Sequence, residues 1–279
     1  MIFENNFRFF GFYDAVEMGL YFVIVGYYFL IFAFFLLMRF RTSKRLYWLF
    51  FSFLFLFLAA GRVFFIGYYF FIPELQGTMS DAELASILML FYRLAQFFSW
   101  LAVACLMGAL GVLLFPPEVE IDQKAKTEES KIIALTPNLK IALRIILIAI
   151  PVFVGILALV LPDNLFMDPE IVEKYNLDVK LDTIWGFPIG IVILNFILLP
   201  LFIIAIPFLF IYLAIKTYGV LRKSYALNAI GFLLYYTGRV LQGAFEIAGW
   251  HHFESTIPPL IILLALLIIV IANNYEQLR

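Results

Sequence analysis

The chain has little charge and almost no metal-binding or nucleophilic chemistry. Of its 279 residues, 14% are charged and 65% are hydrophobic. That excludes an ordinary soluble domain, because the polar residues could not cover its surface. A single cysteine, Cys105, excludes an intrachain disulfide framework. The two histidines, His251 and His252, are adjacent, and no other soft ligand lies near them in sequence. Neighbouring side chains on a helix point apart, so no metal centre, haem or other cofactor is expected. No serine or cysteine sits near a histidine within an apolar run, which leaves no material for a catalytic triad. No aspartate falls well inside an apolar run, and no glycine-rich phosphate or dinucleotide loop is present. The lysines do not form a nucleic-acid surface. These absences read as a protein that is not an enzyme and binds no nucleic acid. The first fourteen residues lack the basic start and short apolar core of a cleavable leader, so none is expected.

What remains is apolar and aromatic. Thirty-four phenylalanines and fifteen tyrosines supply the amphipathic rings typical of membrane interfaces. A stretch of about twenty apolar residues crosses a bilayer. Seven such spans are predicted, at approximately 14–38, 46–71, 85–115, 139–161, 184–215, 225–247 and 256–273. The expected fold is therefore one all-α domain over residues 1–279, with the lipid bilayer as its main partner and a cell membrane as its location.

Lysine and arginine concentrate in cytoplasmic loops. Arg39, Arg41, Lys44 and Arg45 fill the first loop, and Lys216, Arg222 and Lys223 the fifth. The second and sixth loops have no lysine or arginine, and the fourth has two lysines among six acids. All six loops place the N-terminus outside and the C-terminus in the cytoplasm. The third loop, Pro116 to Thr136, is the sizeable cytoplasmic surface, and it is the expected place for a cytoplasmic partner.

The tripeptide Gly-Arg-Val occurs twice, at Gly61–Val63 and Gly238–Val240. A shift of 177 residues, without a gap, superposes the two. The same shift lays Arg45 on Arg222, Phe55 on Phe232 and Arg39 on Lys216. This implies a 3+1+3 arrangement of two parallel three-helix repeats around a connector. In helix count and symmetry the plan resembles the microbial rhodopsins and the small seven-helix sugar transporters. The last span, TIPPLIILLALLIIVIANN, has no lysine to form a retinal Schiff base, and the transporters' proline-glutamine pair is absent.

A charge at the centre of a bilayer costs about 2.5–3.5 kcal/mol on insertion scales, so it needs a partner or a wet cavity. Arg62, Arg93 and Arg239 each stand eight or nine residues from the outer end of their spans. At 1.5 Å per residue that puts all three roughly 12–14 Å deep. Helical spacing adds Gln96 to the face of Arg93, and Gln242 and Glu246 to the face of Arg239. Glu17 lies near the outer end of the first span, and Asn195 is the polar residue of a proline-interrupted fifth span. Arginine's planar fork binds carboxylate or phosphate at two points. The pattern points to an outward-facing cavity in which Arg62, Arg93 and Arg239 grip an anionic or amphiphilic solute. Gln96, Gln242 and Asn195 would supply hydrogen bonds there, and Glu17 and Glu246 would counter or gate the arginines. Two alternatives stay open: a receptor subunit that signals through the third loop, and an assembly protein whose arginines pair with Glu17 and Glu246.

Overall fold

A backbone in hydrocarbon must satisfy its own hydrogen bonds, so long apolar runs become helices. The computed structural model describes residues 11–115, 136–184, 186–248, 250, 253 and 255–274, without the side chains of Glu246 and Ile247. Its long helices are α1 (Phe12–Phe34), α2 (Leu46–Ile66), α3 (Asp81–Leu114) and α4 (Pro137–Val160). They are followed by α5 (Leu199–Lys216), α6 (Gly219–Ile247) and α7 (Ile257–Asn274). Three of them are extended by wider, π-type turns. Phe35–Phe40 continues α1, Gly67–Phe71 continues α2, and Val192–Leu198 leads into α5.

Six of these segments are long and apolar enough to cross a membrane. The protein is thus a mostly helical, multi-pass membrane protein. The sequence expectation of seven such spans is met for six. The exception is α6, whose 29 residues reach about 43 Å. Arg222, Lys223, Asn228, Arg239 and Gln242 lower its hydropathy below that of the others.

A second departure concerns the fifth span, expected from residue 184. Thr183–Ile184 (β1) and Phe187–Pro188 (β2) instead pair as a small antiparallel hairpin. Its turn uses Gly186 at φ +84°, in the left-handed region that glycine enters without steric cost. Helix begins only at Ile189, after an extended Pro188. Pro200 then follows the π-type segment. It lacks the N–H that would bond the carbonyl four residues back, and Leu199 bonds the carbonyl of Leu194, five residues back.

Helices α1 to α4 pack each against the next, and so do α5, α6 and α7, while α5 reaches the first group through α3 and α1 also meets α7. Helix α3 is the central one: 56% of its most apolar stretch is buried, against 22% for α4 and α5, which turn their apolar sides outward to lipid. Ser80 caps α3 by accepting from the Glu83 N–H, while the Glu83 carboxylate bonds back to the Ser80 N–H. Helix α1 buries Tyr21, Ile24, Tyr28, Ile31 and Phe35, a stripe spaced three and four residues apart. That spacing keeps one seam of a helix facing the bundle.

Residues 161–184 and 186–188 fold into a cap over one end of α2 and α3. A six-residue helix, Pro169–Lys174, starts on Asp168, whose carboxylate accepts from the Glu170 N–H at 2.9 Å. The Asn164 amide donates to the Asp182 carboxylate at 2.7 Å, and the Asp182 N–H returns to the Asn164 carbonyl. Tyr175 packs with Ile72, Leu84 and Leu88, while Phe166 and Met167 enter the main core. Gly190 lets the helical turn after the hairpin approach the 163–166 segment, since a Cβ there would stand 2.6 Å from the Leu165 carbonyl oxygen.

The repeated Gly-Arg-Val has a common local geometry. A Cβ on Gly61 would stand 3.2 Å from the Ala95 carbonyl oxygen on α3, and one on Gly238 would stand 3.2 Å from that of Pro258 on α7. In each copy, glycine brings its helix close to the backbone of the helix that follows.

Candidate functional site

Each glycine sets the position of the arginine beside it. Arg62 and Arg239 line one cavity, together with Tyr28 of α1 and Tyr235 of α6. Walls from α3, α5 and α7 complete it with apolar side chains such as Val103, Leu106, Ile203, Ile206 and Leu266. The cavity's volume is about 820 Å³ with its mouth included, room for several waters or a small solute.

Arg62 is 5% exposed. Among the described residues, neither Arg62 nor Arg239 has an ion pair or a hydrogen bond. Their contacts are with aromatic rings. The Arg62 guanidinium lies 4.3 Å from the centre of the Tyr21 ring, and that of Arg239 lies 6.0 Å from Phe65. A desolvated cation over such a ring gains about 2 kcal/mol. No described carboxylate stands within ion-pair distance of either guanidinium, and Glu17 acts on Arg62 only at longer range.

Glu17 and Gln242 meet through Tyr21, a residue outside the expected site. The Tyr21 hydroxyl donates to Glu17, and the Gln242 amide donates to the same hydroxyl. This chain joins α1 to α6 beside Arg62. The Tyr21 ring also packs edge-on against Phe70, with centroids 6.1 Å apart. One turn below Arg239, the Tyr28 hydroxyl donates to that of Tyr235 at 3.0 Å. A sequence signal for both tyrosines existed: Glu17, Tyr21 and Tyr28 follow the four-then-seven spacing of one helical face.

Arg93 does not line the cavity. It bonds the Asp163 carboxylate at 2.6 Å and the Leu159 carbonyl at 2.7 Å, both at the end of α4. An aspartate in a folded cap thus meets it where the sequence suggests an open turn. Gln96 is buried, bonds Tyr92 and does not line the cavity. Asn195, in the π-type segment, donates to the Tyr92 hydroxyl at 3.1 Å, and its buried carbonyl oxygen has no partner among the described residues. The Glu246 side chain, His251, His252 and the third loop lie outside the described residues.

A second polar cluster stands at the opposite end of the bundle. Asn228 of α6 is fully buried and accepts from the Asn273 amide of α7 at 2.8 Å. The Tyr47 hydroxyl donates to Asn273, and Arg39 bonds the Asn273 carbonyl and the Asn274 side chain. Four helix segments are tied together there. No protein-family pattern, curated protein or solved structure matches the chain.

Proposed function

We propose that this is a seven-span membrane protein, N-terminus outside and C-terminus cytoplasmic, that binds an anionic or amphiphilic solute between Arg62 and Arg239 and carries it across the bilayer. One observation carries the reading: two guanidiniums share one cavity and, among the described residues, neither is closed into an ion pair. Buried charge without a partner is costly. An anion placed between the two would supply what the protein withholds.

The polarity of α6 supports its role as the remaining span. Its Asn228, Tyr235, Arg239 and Gln242 face other helices or the cavity and not lipid. The matching glycine contacts of α2 and α6 support a repeated three-helix unit. Two polar ties bracket the cavity, Glu17–Tyr21–Gln242 on one side and the Asn228–Asn273 cluster on the other. Transport requires each to open in turn, with the segment before Pro200 as the hinge.

The test is thermal melting of the purified protein against a panel of anions, for wild type, Arg62→Gln and Arg239→Gln. A ligand that binds only the folded state raises its stability by mass action. The reading expects an anion to stabilise wild type and not the two variants, followed by flux of that anion into proteoliposomes. Binding without flux would move the protein to the sensor class. No anion effect, with both variants melting early, would make the arginines structural and end the proposal.

A further inference from the structure

The cavity is not uniform along its length. Gly61 lies against Ser99, so Ser99 marks the level of Arg62 on α3. Gly231 lies against Ile269, so Ile269 sits eight residues below Arg239 as measured along α6. On α2, Leu54 is likewise eight residues below Arg62. Both routes put the far end of the cavity roughly 12 Å from the arginines at 1.5 Å per residue.

Polar groups gather at one end only. The Ser99 hydroxyl is committed to the Ala95 carbonyl at 2.8 Å. Tyr28 donates to Tyr235, which leaves the Tyr235 proton free to point at a ligand beside Arg239. Below that level the walls are Leu54, Ala102, Leu106, Ile206, Phe232 and Ile269. They offer no hydrogen-bonding side chain. The two cations therefore stand at the head of an apolar slot. A small inorganic anion would fill the head and leave the slot unused, whereas a neutral hydrocarbon would leave the arginines uncompensated.

We propose that the solute is a single-chain amphiphile with an anionic head, bound head-first at Arg62, Arg239 and Tyr235 with its chain along the slot toward Leu106 and Ile269. This rests on the reading of Arg62 and Arg239 as an anion site and adds a class and a direction to it. The carboxylate or phosphate head takes both guanidinium forks, and the chain replaces water against the apolar walls. Depth limits the chain: methylenes beyond the slot gain nothing.

The experiment measures dissociation constants in nanodiscs of zwitterionic lipid, for acetate, hexanoate, decanoate and tetradecanoate. Decyl phosphate, decanol, decylammonium, inorganic phosphate and phosphatidylglycerol form the other arms. Affinity should rise about fourfold for each methylene buried and then level off when the slot is full. Decyl phosphate should bind with decanoate, while decanol, decylammonium and phosphatidylglycerol should not. Arg62→Gln and Arg239→Gln should each weaken every acid of the series by about ten- to a hundredfold. Ala102→Leu, which fills the slot below the arginines, should move the plateau to shorter acids and leave acetate unchanged. Acetate or inorganic phosphate binding as well as decanoate would overturn the amphiphile class and leave the anion site standing. Phosphatidylglycerol matching decanoate would overturn the single chain. Decanol matching decanoate, or no binding by any acid, would overturn both this inference and the anion site beneath it.

Discussion

Replacing Arg62 with methionine separates a ligand-binding arginine from a structural one. Methionine keeps an unbranched stem and removes the charge, and it adapts well to irregular gaps. In the protein without ligand, the change should recover the burial cost of the cation, about 2.5–3.5 kcal/mol on insertion scales. It should lose the stacking on Tyr21, worth about 2 kcal/mol for a desolvated cation. No hydrogen bond or ion pair is lost, because Arg62 makes none among the described residues. The balance is a ligand-free variant about 0.5–1.5 kcal/mol more stable than wild type. That is a rise of a few degrees in melting temperature for a chain of this size. The same change should weaken the anion by about ten- to a hundredfold, because each charge-assisted hydrogen bond contributes about 1.5–3 kcal/mol. Melting in detergent reads the first effect, and ligand titration the second. Destabilisation by about 3–5 kcal/mol would refute the reasoning. That is the signature of a buried ion pair broken on one side, and it would mean that Arg62 has a protein carboxylate as its partner.

Arg93→Gln should cost about 1–2 kcal/mol of stability, through the lost Leu159 and half-exposed Asp163 contacts. Ligand titration should find anion affinity unchanged. Asn228→Ala leaves the buried Asn273 amide short of an acceptor and should lower stability by about 1–3 kcal/mol on melting. Gly61→Ala and Gly238→Ala should each lose about 1–3 kcal/mol from crowding against a neighbouring helix backbone. Gly26→Ala, with nothing within 4 Å of the new Cβ, should be neutral or slightly stabilising in the same assay. In a Cys105→Ala background, an impermeant maleimide applied to intact cells should label Thr78→Cys and spare Ser43→Cys. The reverse labelling would invert the topology.

The sequence was most legible where chemistry forces one outcome. Charge in an apolar run must be accommodated, and depth along a helix can be counted, so residue spacing alone sets Arg62 and Arg239 near one level. The fold brings both to one cavity. Glu17 and Gln242 also belong together, though through Tyr21. Depth does not fix which way a helix is turned. Arg93 stands at a comparable level, but α3 is rotated so that it faces α4, and an aspartate from the cap meets it. Asn228 and Asn273 each read as an ordinary polar residue near a helix end. Their partnership depends on the contact between α6 and α7, which no local pattern encodes. Residues 161–188 were opaque for a similar reason. Their acids and prolines read as a turn, and only the burial of Tyr175, Phe166 and Met167 shows a packed cap.

The most direct test is a crystal structure of the protein with a decanoate that carries bromine on its terminal carbon. The account predicts carboxylate oxygens about 2.7–2.9 Å from both the Arg62 and Arg239 guanidiniums, and an anomalous bromine peak near Leu106 and Ile269. A cavity holding only water, with Arg62 or Arg239 closed onto Glu17 or Glu246, would contradict it.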